Sequence, residues 1–288
     1  MKERILVTGG RGMLASALEE FYLRKGCQVL APDHKKLDVL DQPALRGAIG
    51  NFKPDRLFHT AALHVDACEE NPELAFKLNS WASANIARIC SDFGATLVYI
   101  SSCGYFGDEV KYYSEYDPVV LKTVYARSKY QGEVLALREC RDAFAIRPGW
   151  LFGGTIEHKK NFVFQRYQEA VNSPVIKSAV DKFGCPTFVD DLAKKVDEII
   201  NCGLPGIYHV TNSGGCSRAE YVKKIIESCG LKTEVLGVDS GNFPRKANVP
   251  CSELLHNWNL RYSGLAALPP WEEAIERYAR IILKEIKG

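Results

Sequence analysis

The chain has 288 residues, of which 46% are hydrophobic and 25% are charged, and its formal net charge is +2. These values are typical of a globular protein that buries one large α/β core, or a core with a smaller lobe. Because basic and acidic residues alternate without long blocks of either sign, the charge pattern does not indicate nucleic acid or a membrane surface as a partner. A basic pocket for one phosphorylated small molecule remains compatible with it.

The distribution of apolar residues and cysteines predicts the compartment. No stretch approaches the roughly 20 apolar residues of a membrane span. Met1 to Arg4 run directly into the strand-like Ile5-Leu6-Val7, so we expect no signal peptide. The ten cysteines are scattered, with no Cys-x-x-Cys pair and no histidine cluster beside them. We therefore expect a cytoplasmic protein with reduced cysteines, no disulfide framework and no metal site.

A glycine-rich turn follows the first predicted strand, which covers residues 4 to 8. The segment from Thr8 to Ala15 reads Thr-Gly-Gly-Arg-Gly-Met-Leu-Ala and leads into a helical pattern. Strand, glycine turn and helix in this order are the context of a dinucleotide-binding fingerprint, in which phosphates bind the backbone N–H groups at the start of the helix. Gly9 permits the tight turn, and Gly12 lets the backbone approach a pyrophosphate. The predicted cofactor-binding residues here are Gly9, Gly12, Met13 and Leu14.

The second predicted strand, Val29-Leu30-Ala31, leads to residues that bear on the choice of cofactor. Asp33 lies about 20 residues after the glycine turn, where a carboxylate can accept hydrogen bonds from the adenosine ribose, which favours NADH. His34 and the two lysines after it could instead hold a 2′-phosphate, which favours NADPH. Asp38 and Val39 could border the adenine, whereas Asp41 could cap the helix that Pro43 opens.

Two later strands end in small or hydroxyl-bearing residues. The predicted strand over residues 56–59 is followed by Thr60, Ala61 and Ala62, which let a flat cofactor pass close to the backbone. The strand over residues 96–100 is followed by Ser101-Ser102-Cys103-Gly104. In an open parallel sheet this edge is where ligands bind, although serines after a strand are also common turn formers.

Tyr125 and Lys129 are four residues apart in a predicted helix, so their side chains leave from one face. A phenol has an ordinary pKa near ~10, and a nearby ammonium favours the phenolate and lowers that pKa. We therefore expect the pair to exchange a proton with a substrate oxygen. Asn79, on a long helix that starts at Asn71-Pro72, could orient Lys129 or a water, or could be a hydrogen-bonded core residue.

With these features together, the chain resembles the short-chain dehydrogenase/reductase superfamily in its extended, nucleotide-sugar-modifying branch, and within it the dTDP-4-dehydrorhamnose reductases. The resemblance runs almost end to end. Besides the glycine turn and the helix from Val124 to Glu133, the segments that carry it are 65–69, 72–75, 146–153, 161–162, 183–187, 206–210 and 245–249.

The resemblance implies an α/β fold with a Rossmann-type doubly wound parallel sheet and a smaller C-terminal substrate-binding lobe. Residues 1–150 would form the dinucleotide-binding domain, with 188–212 returning to it, and residues 151–288 would form mainly the substrate-binding lobe. The implied catalytic residues are Ser102, Tyr125 and Lys129, with Tyr125 and Lys129 also contacting NADPH or NADH. The implied substrate-binding residues are Ser102, Cys103, Trp150, Asn161, Phe162 and Arg245.

Two of these assignments have simpler readings, since Trp150 could be a core residue and Arg245 a surface charge. The chain also departs from the reductases after the fourth strand, where they often carry Ser-Thr-Asp-Tyr. Cys103 and Gly104 replace the carboxylate and the aromatic ring.

The resulting hypothesis is the reduction of a 4-keto nucleotide sugar. The nicotinamide gives hydride to the ketone carbon, and Tyr125 gives its proton to the oxygen, which Ser102 holds. Lys129 lowers the pKa of the phenol and hydrogen-bonds the nicotinamide ribose. A nucleotide-sugar epimerase is an alternative, whereas a dehydratase would need an Asp-Glu pair where Cys103 and Gly104 stand. A second alternative is a non-catalytic subunit, as in the regulatory subunit of methionine adenosyltransferase. The amphipathic segment from Trp271 to Ile286 closes the fold or pairs two subunits in a homodimer.

Overall fold

The structure is a computed structural model that describes residues 2–287. Its strands, in chain order, are β1 (Arg4–Thr8), β2 (Gln28–Leu30), β3 (Arg56–His59), β4 (Thr96–Ile100), β5 (Ala143–Pro148), β6 (Trp150–Phe152), β7 (Val175–Ala179), β8 (Phe183–Gly184), β9 (Pro186–Phe188), β10 (Gly206–Val210), β11 (Asn212–Ser213), β12 (Cys216–Ser217), β13 (Glu234–Val238), β14 (Ser252–Glu253) and β15 (Leu268–Pro270). Its helices are α1 (Met13–Arg24), α2 (Gln42–Phe52), α3 (Val65–Glu70), α4 (Pro72–Phe76), α5 (Ala82–Phe93), α6 (Val124–Glu139), α7 (Phe162–Asn172), α8 (Val189–Cys202), α9 (Arg218–Ser228), α10 (Trp258–Tyr262) and α11 (Trp271–Lys287).

A six-stranded sheet in the order β10-β5-β4-β3-β1-β2 forms the centre of the molecule, and all its neighbouring strands are parallel. Because such strands are buried on both faces, they read as short apolar runs in the sequence. Helices α1 and α8 pack together, and α5 packs with α2 and α6. These groups belong to two separate apolar clusters that share the sheet, so both faces are covered. The predicted Rossmann-type fold is confirmed.

The strand order reverses between β1 and β3, because β2 lies on one side of β1 and β3 on the other. In an open α/β sheet the crevice beside such a reversal, at the carboxyl ends of the strands, is where ligands bind. The β1–α1 turn and the residues after β3 and β4 all lie at this edge. Strand β10 joins the sheet beside β5, so residues 206–210 return to it.

Smaller sheets follow β5. Strand β7 pairs with β13, β8 pairs with β12 and β14, and β6 pairs with β9. Helices α7, α9 and α11 pack with these strands, and α11 covers β9 and α9. Tyr278 and Ile282 of α11 are fully buried, which shows that this amphipathic helix closes the fold through its apolar face. The division into a cofactor domain and a substrate lobe, with its boundary near residue 150, stays a prediction.

The long helix that starts at Asn71 contains a feature that the periodicity did not predict. A π-helical turn, Lys77–Trp81, lies between α4 and α5. Such a turn holds one extra residue, and it is found frequently at functional sites. Within residues 2–287, no helix is both long and apolar enough to cross a membrane.

Candidate active site

The β1–α1 turn has the geometry that a glycine-rich phosphate loop requires. Gly9 has φ of +73°, a conformation that side chains with a Cβ rarely adopt. A Cβ on Gly10 would lie 1.9 Å from the carbonyl oxygen of Ala31, so only glycine fits against β2. Gly12 caps α1, no side chain accepts from the first amides of the helix, and the first turn has no acidic residue. The N-terminal amides of Met13 and Leu14 therefore face the crevice without a side-chain acceptor.

Asp33 lies beside this turn, but its carboxylate already has three donors. The Arg11 Nε lies 2.8 Å from Oδ2, and the amides of Lys35 and Lys36 both donate to Oδ1 at 3.1 Å. Burial raises the pKa of Asp33, but the Lys36 amide and the Arg11 guanidinium outweigh it and hold the pKa below its ordinary value. Asp33 is therefore ionised, and the guanidinium that pairs with it is itself 80% exposed.

The other predicted cofactor residues lie around the same crevice. Val39 is buried, and His34 and Asp38 are exposed. Asp41 accepts from the amide of Ala44 at 3.0 Å and therefore caps α2, which is one of the two predicted alternatives. Thr60, Ala61 and Ala62 follow β3 and are half-buried. The Thr60 hydroxyl donates to the carbonyl oxygen of Thr8 at 2.6 Å, which joins the ends of β3 and β1.

The two serines after β4 have different surroundings. Ser101 Oγ donates to Glu133 Oε2 at 2.6 Å and lies 2.6 Å from the Tyr105 hydroxyl, inside a buried network. Ser102 Oγ accepts from the Gly104 amide at 3.1 Å, and its hydroxyl is the side-chain group that acts to lower the pKa of the Tyr125 phenol. Ser102 is therefore the hydroxyl beside Tyr125, whereas Ser101 is part of the core.

Tyr125 and Lys129 leave α6 toward the end of β4. Thr123 caps the start of α6, and its side chain accepts from the Ala126 amide at 2.9 Å. The Lys129 Nζ donates to the carbonyl oxygen of Ile100 at 2.6 Å and lies 4.1 Å from the ring centroid of Tyr99. Lys129 is 2% exposed. The structure thus gathers Ser102, Tyr125 and Lys129 at one strand end.

The pKa of the phenol shifts in the opposite direction from the one expected. Burial raises the pKa of Tyr125 above its ordinary value, with the hydrogen bond from Ser102 opposing the shift. Burial also lowers the pKa of Lys129 to about 7, and the Glu133 carboxylate opposes that shift. Lys129 is itself desolvated and donates to Ile100, so it does not supply the full positive field that the sequence interpretation assumed.

Asn79 is a hydrogen-bonded core residue, the second of its two predicted readings. It lies in the π-helical turn, its Nδ2 donates to Ser128 Oγ at 3.0 Å, and its Oδ1 accepts from the Leu63 amide at 2.8 Å. Ser128 precedes Lys129, so Asn79 fixes α6 at the position of the lysine. The backbone of Asn79 also approaches α6 closely, since a Cβ on Gly132 would lie 2.0 Å from its carbonyl oxygen.

Arg218 and Glu253, beside Trp150, are two residues that the sequence interpretation missed. The indole Nε1 of Trp150 donates to Glu253 Oε2 at 2.6 Å, and the Arg218 guanidinium stacks 3.5 Å from the Trp150 ring centroid. The Cys103 thiol donates to Glu253 Oε1 at 3.6 Å. Burial raises the pKa of Cys103 well above its ordinary value, and Glu253 adds to the shift, so the thiol stays neutral. Cys103 and Trp150 thus share Glu253 as a hydrogen-bond acceptor, and their substrate-binding role stays a prediction.

The remaining predicted substrate residues have different positions. Phe162 stacks on Tyr221 and lies 5.1 Å from the Arg218 guanidinium, in the same aromatic group as Trp150. Asn161 is fully buried and caps α7, and its Nδ2 donates to the Tyr278 hydroxyl at 2.6 Å. Its amide is used inside the lobe, so the structure does not bring Asn161 to the crevice.

Arg245 is also engaged within the chain. Its Nη2 lies 3.0 Å from Asp66 Oδ2, its Nε donates to Oδ1 at 3.3 Å, and its side chain is 42% exposed. This ion pair joins the C-terminal part of the chain to α3, which favours the reading of Arg245 as a surface charge.

The assembled site brings the glycine turn, the Tyr125 phenol and the Ser102 hydroxyl to one edge of the sheet. His59, below the site, is held neutral because burial and then the charge of Lys129 lower its pKa to about 3. Within residues 2–287, no group of three or more His, Cys, Asp and Glu side chains is arranged to hold a metal ion.

Comparison with known proteins agrees with this geometry. The RmlD substrate binding domain family matches residues 2–283. The chain is similar to the spore coat polysaccharide biosynthesis protein SpsK of Bacillus subtilis (32% identity, 96% of both chains) and to the dTDP-4-dehydrorhamnose reductase of Mycolicibacterium smegmatis (31% identity, 96% of this chain and 85% of the relative). A crystal structure of dTDP-4-dehydrorhamnose reductase from Bacillus anthracis in complex with NADP matches with a TM-score of 0.92 and 31% identity, over 96% of this chain and 99% of that one. The chain therefore belongs to the RmlD substrate binding domain family.

Proposed function

We propose that the protein reduces the ketone of a 4-keto nucleotide sugar, in the manner of a dTDP-4-dehydrorhamnose reductase, with NADPH as the cofactor. The observation that carries the proposal is the placement of Ser102, Tyr125 and Lys129 at the strand ends beside the β1–α1 turn. Membership of a family whose relatives include dTDP-4-dehydrorhamnose reductases supports it. These residues are proposed to be the catalytic group.

The residues of the crevice fit a nicotinamide dinucleotide. The amides at the start of α1 have no side-chain acceptor, and the absence of a Cβ at Gly9 and Gly12 leaves room for a pyrophosphate. Met13, Leu14, Val39 and residues 60–62 line the rest of the proposed path. When bound, the nicotinamide supplies the hydride for the ketone carbon.

The side chains of the protein supply the proton and the alignment. The raised pKa of Tyr125 keeps the phenol protonated at neutral pH, which is the state that a proton donor to the carbonyl oxygen requires. Ser102 donates a hydrogen bond to the same oxygen and stabilises the developing negative charge. Lys129, with a pKa of about 7, carries a positive charge for part of the time at neutral pH. That charge stabilises the phenolate left on Tyr125, and the ammonium also holds the nicotinamide ribose.

The surroundings of Asp33 favour NADPH over NADH. Its carboxylate is already paired with Arg11 and two amides, so it is a poor acceptor for additional ribose hydroxyls. The exposed Arg11 guanidinium keeps two terminal nitrogens for a 2′-phosphate, and His34 and the following lysines are exposed beside it. The relative from Bacillus anthracis in complex with NADP supports this choice.

The test is the oxidation of NADPH by the protein in the presence of enzymatically generated dTDP-4-keto-6-deoxyhexose, followed by the loss of nicotinamide absorbance. Replacing the proton donor with Tyr125→Phe should lower kcat by about 10²- to 10⁴-fold. Tyr130→Phe on the same helix is the matched control and should retain the wild-type rate.

Two results would contradict the proposal. If the wild type binds NADPH but oxidises none with the keto-sugar, the substrate assignment is wrong, and co-purification with a larger enzyme would then support a non-catalytic subunit. If the cofactor stays bound and is regenerated on every turnover, the protein is an epimerase, because a reductase must exchange its nicotinamide each cycle.

A further inference from the structure

Arg218 is a positively charged residue in an unusual position. It is the first residue of α9, where the helix dipole disfavours a cation, and Ser217 and Glu220 form a capping box around it. The Cζ atom of its guanidinium lies over Trp150, at 3.5 Å from the ring centroid. Within residues 2–287, it forms no ion pair with a carboxylate at 4.0 Å or less. Burial lowers the pKa of Arg218, with Glu253 opposing the shift, so the cation is desolvated without a direct partner.

Glu253 is a negatively charged residue that contacts the same indole. Its Oε2 accepts the indole N–H of Trp150 at 2.6 Å, and its Oε1 has only the weak thiol donor of Cys103 at 3.6 Å. Across the part of the chain that the structure describes, no lysine or arginine pairs with this carboxylate. Strand β14 holds Glu253 in parallel register with β8, so the carboxylate has a fixed position.

The Oε1 atom of Glu253 lies near the proposed catalytic hydroxyl. A Cβ on Gly104 would lie 3.1 Å from Glu253 Oε1 and 3.5 Å from Ser102 Oγ. The two oxygens therefore border one small region, which stays open because residue 104 is a glycine. The carboxylate oxygen can accept a further hydrogen bond, and it lies where it can contact a ligand group that is hydrogen-bonded to Ser102.

We infer that Arg218 and Glu253, held at the face and at the N–H edge of the Trp150 indole, form the substrate-recognition subsite. The guanidinium binds a phosphate oxygen of the substrate, and the carboxylate accepts a hydrogen bond from a sugar hydroxyl next to the reacting ketone. A phosphorylated sugar carries both groups, whereas neither a purely anionic nor an uncharged ligand complements both charges. The inference rests on the proposed function, since it names the residues that select that substrate.

Arg245 is the alternative guanidinium, and its contacts argue against it. Both of its nitrogens that face Asp66 are engaged at 3.0 and 3.3 Å, and its side chain is well exposed. A phosphate at Arg245 would have to displace a carboxylate that already satisfies the guanidinium. Arg218 has no such competitor, so the phosphate is assigned to it.

Binding of dTDP and of thymidine, measured by titration calorimetry without NADPH, tests the guanidinium. Arg218→Met should weaken dTDP binding by about 10- to 100-fold, because it removes charge-assisted hydrogen bonds, and should leave thymidine binding unchanged. Arg218→Lys keeps the charge but loses the planar guanidinium, so its affinity for dTDP should lie between those of the wild type and Arg218→Met. Arg245→Met is the matched control and should bind dTDP like the wild type.

Equal losses for dTDP and thymidine in Arg218→Met would overturn the inference, because they would show that Arg218 only supports Trp150. Wild-type dTDP affinity in a folded Arg218→Met variant would overturn it as well. Since these titrations need no turnover, they remain informative if the wild type fails to reduce any keto-sugar. In that event an Arg218-dependent dTDP site would stand while the proposed reaction fell.

Glu253→Gln tests the carboxylate with a variant of equal size. The amide is a poorer acceptor for a hydroxyl, so we expect a rise of about 10-fold in KM for the keto-sugar with dTDP binding unchanged. An unchanged KM, or an equal change in dTDP affinity, would contradict the assignment of a sugar hydroxyl to Glu253.

Discussion

Two clusters flank the crevice, and each contains an arginine, a glutamate and an aromatic ring. In the closed cluster (Ser101, Tyr105, Glu133 and Arg147), the guanidinium pairs with the carboxylate at 2.5 and 2.9 Å and lies 5.2 Å from the Tyr105 ring. In the open cluster (Trp150, Arg218 and Glu253), the indole separates the two charges. The arginine and the glutamate are therefore paired with each other in the closed cluster and separated in the open cluster.

The difference indicates what each cluster does. The closed cluster is fully buried, its charges are matched, and it joins α6 to β4 and β5, so it fixes the helix that carries Tyr125 and Lys129. Within residues 2–287, the open cluster keeps an unpaired cation and a partly satisfied carboxylate, which a ligand can complete. We therefore interpret the paired charges as structural and the unpaired charges as the proposed recognition site.

Breaking the closed cluster should have the largest effect. Arg147→Met leaves the Glu133 carboxylate buried without its partner, which should lower the free energy of unfolding by roughly 3–5 kcal/mol. Denaturant unfolding followed by circular dichroism measures this change. Arg218→Met in the open cluster is the control and should change stability by less than about 1 kcal/mol. Equal losses in the two variants would contradict the distinction between the clusters.

The pH dependence of the reaction should report Lys129, which contacts β4 beside the closed cluster. Burial lowers the pKa of Lys129 from 10.5 to about 7, so the ammonium is lost as pH rises through that value. Tyr125, whose pKa is raised, stays protonated in this range. The pH dependence of kcat/KM reports the pKa values of the free enzyme. Because one proton is lost from Lys129, kcat/KM should decline above neutral pH, and the decline should approach about 10-fold per pH unit.

A profile of kcat/KM that stays flat from neutral to alkaline pH would contradict a role for the Lys129 charge. Tyr130→Phe serves as the control for this profile and should show the same decline as the wild type, since it leaves Tyr125 and Lys129 unchanged.

The smallest predicted effect concerns the Arg11–Asp33 ion pair, in which the arginine is both paired with a carboxylate and exposed. Arg11→Met should raise KM for NADPH by about 10-fold and leave KM for NADH nearly unchanged, because only the phosphorylated cofactor needs the guanidinium. Arg24→Met, which removes an exposed ion pair with Glu20 on the same helix, is the control. Equal KM changes for both cofactors would contradict the preference for NADPH.

Local patterns in the sequence predicted the sheet and the placement of Tyr125 and Lys129 on one helix. Strands β3 and β4 have the predicted bounds, because buried parallel strands are short apolar runs between polar turns. The spacing of Tyr125 and Lys129 placed both on one helix face. These features depend on neighbours within a few residues, so they are readable along the chain.

Other features depend on contacts between distant segments, and the sequence did not reveal them. The open cluster joins residues 150, 218 and 253 from three different elements, and no spacing connects them. One signal was present, since an arginine directly after the capping Ser217 opposes the helix dipole. Asn161 was assigned to the substrate although an asparagine before an apolar run is a common helix cap, which is its position here. The direction of the Tyr125 pKa shift was missed because it depends on burial.

The most direct test of the proposed function is the transfer of deuterium from NADPH labelled at the hydride position of the nicotinamide. We expect the wild-type protein to place the deuterium on the carbon of the former ketone in dTDP-4-keto-6-deoxyhexose, with one NADPH consumed for each sugar reduced. Mass spectrometry and NMR of the product measure this transfer. A product without deuterium, or turnover without net consumption of NADPH, would contradict the reductase.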